Sequence, residues 1–185
     1  FHTWLVDAHS TAPIPISALL SGIIVKAGVY LFLRINSFNF DILNMKEVIL
    51  FLGAITAVGG VIYALIQWDI KKITASHTIS QIGIIFIGIG TFSTIGITGG
   101  ILHLVNHAFF KALLFLCAGA IIYKTGTKDI REHKIGMSMP ITLVLYLVGI
   151  LSISGITPFN GSISKTLIEQ SLNNYPLIYS MLIFT

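Results

Sequence analysis

Charge is what this chain has least of. Only 10% of its 185 residues are Asp, Glu, Lys or Arg while 55% are hydrophobic, against roughly 25% charged residues in soluble domains. So little charge cannot clothe a water-facing surface, and the chain reads as an integral membrane protein. Acidic residues are the scarcest, seven against eleven Lys and Arg, for a net charge of +4. That excess does not mark a nucleic-acid binder, because the basic residues stand at the ends of apolar segments rather than on an aromatic-studded face. The single cysteine, Cys117, excludes an internal disulfide and, within the apolar run 116–118, reads as a small core residue. Nucleophile elbow, phosphate loop, paired cysteines and dinucleotide fingerprint are all missing, so redox chemistry is expected to reside elsewhere. An initiator Met, a signal peptide and a basic leader are missing too, and an apolar segment has only begun at Thr185; both ends are expected to be cut from a longer polypeptide. No tandem repeat or low-complexity linker divides the chain, which predicts one transmembrane domain over 1–185.

What is present is a series of apolar runs near the length of about 20 residues that a spanning helix needs. They predict an all-α bundle with spans at about 14–33, 45–66, 73–92 and 101–123, a longer interrupted segment at 139–172, and an unfinished span from 176 to 185. Pro13 and Pro15 open the first and Arg34 closes it at an interface. Gly53, Gly59 and Gly60 suit the second to close helix contact. Thr74, His77 and Gln81 of the third are spaced to share a face. The segment 139–172 is too long for one straight span and too short for two, and its middle, SGITPFNG at 154–161, combines glycine and proline. A broken helix near 154–165 is predicted, with Lys165 just beyond the break; such interruptions survive at membrane depth only when shielded, and they mark ion sites in transporters. Lys71, Lys72, Lys124, Lys128, Arg131 and Lys134 fall on one side and only Arg34 and Lys46 on the other, which predicts that the first side is cytoplasmic.

Against that apolar background stand Lys26, His103, His107, Lys111 and Lys165. A charge at the bilayer centre costs about 2.5–3.5 kcal/mol even on mild insertion scales, so such groups usually face protein or water. A lysine that gains and loses a proton can relay one. The bland alternative is a lysine that snorkels to the interface, which is awkward for Lys26 at about 16 Å of helix beyond Pro15. His103, His107 and Lys111 step by four residues and form one stripe about 12 Å long, suited to a proton wire. Two histidines four apart also suit a metal or haem, but no carboxylate, cysteine or third histidine lies nearby in sequence to complete a site. His77, with Ser80 and Gln81, either extends the polar row or packs helices. The stretch from His2 to His9 is less specific, and Asp7 reads as a cap.

The residues FHTWLVDAHS at 1–10, SALLSG at 17–22, VKAGVY at 25–30 and HAFFKALLFL at 107–116 resemble the antiporter-like membrane subunits of complex I (NADH:quinone oxidoreductase), energy-converting membrane hydrogenases and Mrp sodium/proton antiporters. Asp69–Lys72, Ser80–Gly83 and Ile153–Lys165 resemble later blocks of that family, so the likeness covers nearly the whole chain. It implies a helical bundle of two inverted repeats, each with an interrupted helix, of which this chain is a part. The family's middle lysine then falls on Lys26, its central histidine helix on His103, His107 and Lys111, and its exit-side lysine on Lys165. Val6, Thr157, Ser162 and His77 depart from the usual residues of these motifs.

The resemblance implies a non-redox, proton-translocating subunit of an oxidoreductase complex, with Lys26, His103, His107, Lys111 and Lys165 as the relay. No cofactor is expected on this chain; redox cofactors are expected in partner subunits. Other antiporter-like and membrane-arm subunits, peripheral redox subunits and the lipid bilayer are the expected partners, in a prokaryotic plasma membrane, with no nucleic acid. Mrp-type sodium/proton exchange is the alternative, and a structural membrane scaffold with snorkelling lysines is a third.

Overall fold

The computed structural model describes residues 4–39, 45–132 and 139–185. Phe1 and His2 of the first motif, and Lys134 of the orientation count, lie outside them. Among the described residues there is no strand, and the fold is all-α.

A short helix α1 (Trp4–Thr11) leads to α2 (Ile14–Leu19), which Pro13 and Pro15 start by holding the chain in a pre-formed first turn. It runs through a π turn at Leu20–Ile24 into α3 (Val25–Asn39), so that Ile14–Ile35 is one apolar span with a widened turn inside it. That turn, where Ser21 and Gly22 are buried, had no signal in the apolar pattern, and π turns often accompany functional positions.

Three further helices are long and apolar enough to cross a bilayer: α4 (Lys46–Leu65), α5 (Ile70–Gly90) and α6 (Thr94–Thr125). Their boundaries follow local chemistry. The Asp69 carboxylate accepts from the amides of Lys71 (2.8 Å) and Lys72 (3.3 Å) and starts α5 three residues before the expected 73. Ser93 accepts from the Gly96 amide at 3.0 Å and starts α6. Gly126, at φ 74°, ends α6 in the left-handed conformation that glycine adopts without strain.

The predicted break is present. Helix α7 (Pro140–Ser154) stops at Gly155, and α8 (Asn160–Ser171) starts after an irregular stretch that contains a cis Thr157–Pro158 peptide. Helix α9 (Pro176–Ile183) returns to pack Ile178 and Leu182 against Leu50, Ala54 and Ala57 of α4.

Helix α5 stands at the centre. Its most apolar stretch is 78% buried, against 33% for the first span and for α4, although its hydropathy of 1.4 is the lowest of the four. Contact between α4 and α5 is close because Gly60 has no side chain: a Cβ there would stand 2.5 Å from the Ser80 nitrogen. Gly53 also faces α5, whereas Gly59 faces open space.

The start of α5 and the end of α6 meet at one end of the bundle, where the Ile70 amide donates to the Lys128 carbonyl at 3.0 Å. Lys71, Lys72, Lys124, Lys128 and Arg131 therefore gather on one face. Arg131 pairs there with Asp129 at 2.5 Å and lies over Trp68, 4.8 Å from its ring centre.

Candidate functional site

Residues four apart on a helix turn only about 40° from one another. The stripe of α6 consequently points into the bundle, and His103, His107 and Lys111 are each completely buried. What they meet is α5, running antiparallel. The Lys111 ammonium donates to the Thr74 carbonyl at 2.6 Å. One end of the His103 ring meets the Gln81 side-chain oxygen at 2.8 Å and the other meets Ser164 Oγ of α8, also at 2.8 Å. The Ser164 hydroxyl donates to the Gly161 carbonyl at 3.1 Å, so it accepts from Nδ1–H of His103. The Gln81 oxygen then serves an imidazole protonated at both nitrogens, and the same amide turned over serves the neutral ring. The network thus fits either protonation state by one amide rotation.

Lys26 enters the same row from the other side. It is only 7% exposed, and its ammonium donates to the Ser21 carbonyl inside the π turn. Ser21 also touches α5, its hydroxyl lying 3.1 Å from Thr78 Oγ1. One helix, α5, therefore supplies successive contacts at Thr74, Thr78 and Gln81 to the row built from α3 and α6. The face expected from the sequence was Thr74, His77 and Gln81; His77 lies one residue off that line and is only partly buried, and Ser80 faces Gly60 of α4.

Between His103 and Lys111, His107 is buried with both ring nitrogens unpartnered, and the Ser80 hydroxyl is likewise unpartnered. Buried polar atoms are nearly always satisfied by protein or ordered water. The Phe110 ring, edge-on to His107 at 5.3 Å, supplies no hydrogen bond of that strength. Ordered water is the usual partner of buried polar atoms such as the two His107 nitrogens.

Lys165 stands apart from that row. It is half-buried on α8 and lines a cavity of about 520 Å³ with Ser154, Gly155, Thr157, Ser162 and Glu169. The space lies between the break and residues 182–185 at the end of α9, and Gly155 leaves room for the lysine stem: a Cβ at position 155 would stand 2.7 Å from Lys165 Cδ. The residue before it, Ser164, is the one that meets His103. Among the described residues, no three His, Cys, Asp or Glu side chains gather in a way that would hold a metal ion.

Sequence reasoning missed Ser21, Thr78, Ser164 and Glu169. A serine or threonine in an apolar helix is too common to stand out, and Thr78 and Ser21 are 57 positions apart. The only available signal was the coincidence of Ser164 and Glu169 with the residues flanking Lys165 past the break.

Comparison with known proteins places this geometry in a lineage. The family model described as NADH:quinone oxidoreductase/Mrp antiporter, TM, matches residues 1–185. Hydrogenase-4 component B of Escherichia coli (strain K12) is 38% identical over 92% of this chain and 28% of that protein. One Na(+)/H(+) antiporter subunit of Alkalihalophilus pseudofirmus is 38% identical over 93% of this chain and 23% of that protein. In the solved Mrp complex from Dietzia sp. DQ12-45-1b, one chain superposes with a TM-score of 0.94 at 28% identity, over 99% of this chain and 35% of its own length. The chain thus spans less than a third of the length of these two curated relatives. Spanning helices, a break at Gly155, a buried basic row and a family match over the full length together make this chain a member of the NADH:quinone oxidoreductase/Mrp antiporter transmembrane family.

Proposed function

We propose that this chain is the proton-carrying part of an antiporter-like subunit, and that Lys26, His103, His107, Lys111 and Lys165 load and release protons in turn. Redox events in partner subunits, which carry the cofactors, drive the transfer. Those partners are other antiporter-like and membrane-arm subunits together with peripheral redox subunits, in the plasma membrane of a prokaryote.

The observation that carries this reading is the burial of four basic side chains around one helix, α5, with hydroxyl and carbonyl groups between them. A scaffold has no need to bury Lys111 completely, and a snorkelling lysine would reach an interface rather than the Thr74 carbonyl. Lysine and histidine both change charge by gaining or losing one proton. Gln81 and the Ser21–Thr78 pair hold them in place while they do so. Lys165, in its own cavity beyond His103, releases protons on the opposite side.

The test is proton transport by the full-length subunit in its assembled complex, in sealed vesicles. Lys111→Ala or Lys26→Ala should lower transport by about 100-fold, the scale expected when a positioned proton-transfer group is lost. Full transport in both variants would return the lysines to a scaffold role.

Sodium/proton exchange without a redox partner is the second reading, favoured by the 38% identity to a sodium/proton antiporter component. A sodium-dependent proton flux in vesicles without electron donors would select it.

A further inference from the structure

His9 has no part in the row described so far, yet it is completely buried. It lies in the last turn of α1, and the Ser17 hydroxyl donates to its carbonyl at 3.1 Å, so α2 holds its backbone. The ring stacks on Phe115 of α6, with centroids 4.9 Å apart and planes at 24°.

Phe115 is the next member of the four-residue series His103, His107, Lys111. It lies one turn, about 6 Å, past Lys111. At that rung α6 carries a phenyl ring, and α1 brings an imidazole to it. Both nitrogens of that imidazole are buried and unpartnered. A ring needed only for packing would carry no such atoms, since unmet buried polar groups oppose folding. Water bridging to neighbouring polar groups fits the two nitrogens.

Burial first, and then the nearby charges of Lys111, Lys26 and Lys71, push the His9 imidazole down from its ordinary pKa to about 4, so the ring rests neutral and gives up a proton readily once it has taken one. The residues that follow His9 are fastened to the basic face of the bundle. Lys128 donates to the Ser10 carbonyl at 3.1 Å, and Lys71 donates to the Ala12 carbonyl at 2.7 Å. His9 is therefore placed between the row and that face.

We propose that His9 is the proton intake of the row. One ring nitrogen takes a proton from water at the basic face, beside Lys71. The other releases one toward Lys111 whenever that side chain has passed its own proton on and stands as the amine; the amine becomes ammonium as the imidazolium returns to imidazole. This inference rests on the relay reading above, and it adds a group, a direction and a side of the membrane to it.

The experiment measures proton transport by the full-length subunit in its assembled complex, as a function of pH on the basic face, for His9→Phe, His9→Gln and Lys111→Ala. Phenylalanine keeps the stack on Phe115, and glutamine keeps polarity without titration, so glutamine decides the matter if the phenylalanine variant fails to assemble. Loss of the intake leaves delivery dependent on bulk protons. Transport should fall by about tenfold or more at neutral pH, and the deficit should widen steadily as protons become scarcer. A loss by one constant factor at every pH would mean that His9 only packs. Near-normal transport in the His9 variants, with Lys111→Ala inactive, would overturn the intake and leave the relay standing. Near-normal transport in Lys111→Ala as well would remove both.

Discussion

Helices α4 and α5 are neighbours of nearly equal length, 20 and 21 residues, and they are built on opposite plans. The more apolar one, with hydropathy 2.4, is only one-third buried, and the less apolar one, at 1.4, is 78% buried. In water the order would be reversed. In a bilayer the lipid accepts apolar side chains as readily as protein does, so apolarity does not decide which helix goes inside. Polar groups decide it, because an unmet hydroxyl or amide facing hydrocarbon is costly. Helix α5 is central because Thr74, Ser76, Thr78, Ser80 and Gln81 require protein around them. Helix α4 meets it through Gly60 and exposes Phe51, Leu52 and Ile55 on its other side.

That contrast can be broken most severely at the glycine contact. Gly60→Leu would drive a side chain into the Ser80 backbone and should cost about 3 kcal/mol or more, whereas Gly59→Leu, whose Cβ meets nothing within 4 Å, should be tolerated. Thermal stability of the purified complex compares the two, and equal losses would contradict the packing described.

The next largest effect is expected where α5 serves His103. Gln81→Leu keeps the volume but leaves one ring nitrogen unmet, which should cost about 1–3 kcal/mol. The same variant should slow proton transport in vesicles. Stability loss without any change in transport would show that Gln81 holds the bundle and takes no part in the row.

Thr78→Val removes only the hydroxyl that meets Ser21. Roughly 0.5–1.5 kcal/mol of stability is expected to go, with a smaller fall in transport than for Gln81→Leu; chemical denaturation reads the first and vesicle flux the second. Smallest of all should be Arg131→Ala, in the short turn Ile130–Glu132 beyond α6, where the side chain is 60% exposed. An exposed ion pair contributes about 0.2–1 kcal/mol. A thermal shift as large as that of Gln81→Leu would mean that the loop at the basic face organises the start of α5 more than its exposure suggests.

Some of this was legible beforehand for a clear reason. The α6 stripe lies within nine consecutive positions, and titratable side chains in an apolar run stand out against their background. The break between α7 and α8 was legible because Gly155 and Pro158 alter the backbone locally, whatever surrounds them. The α5 face was only half legible: Thr74 and Gln81 were placed on it correctly, but a spacing of three or four admits His77 and Thr78 equally, and only contact with Ser21 selects Thr78. His9 was passed over because one histidine beside an aspartate on a short helix carries no periodic signal, and its burial depends on α6 arriving with Phe115.

Sequence by itself determined that this chain lives in a bilayer, that one of its helices breaks near Gly155, and that basic groups occur where lipid would reject them. Each of those follows from sums over neighbouring residues. Only the tertiary structure decided which partner each basic group has: Lys111 the Thr74 carbonyl, Lys26 the Ser21 carbonyl, His103 both Gln81 and Ser164. Those pairings depend on the relative register of helices packed side by side. Glycine contacts and polar satisfaction across the whole bundle set that register, and no single stretch of the chain contains it.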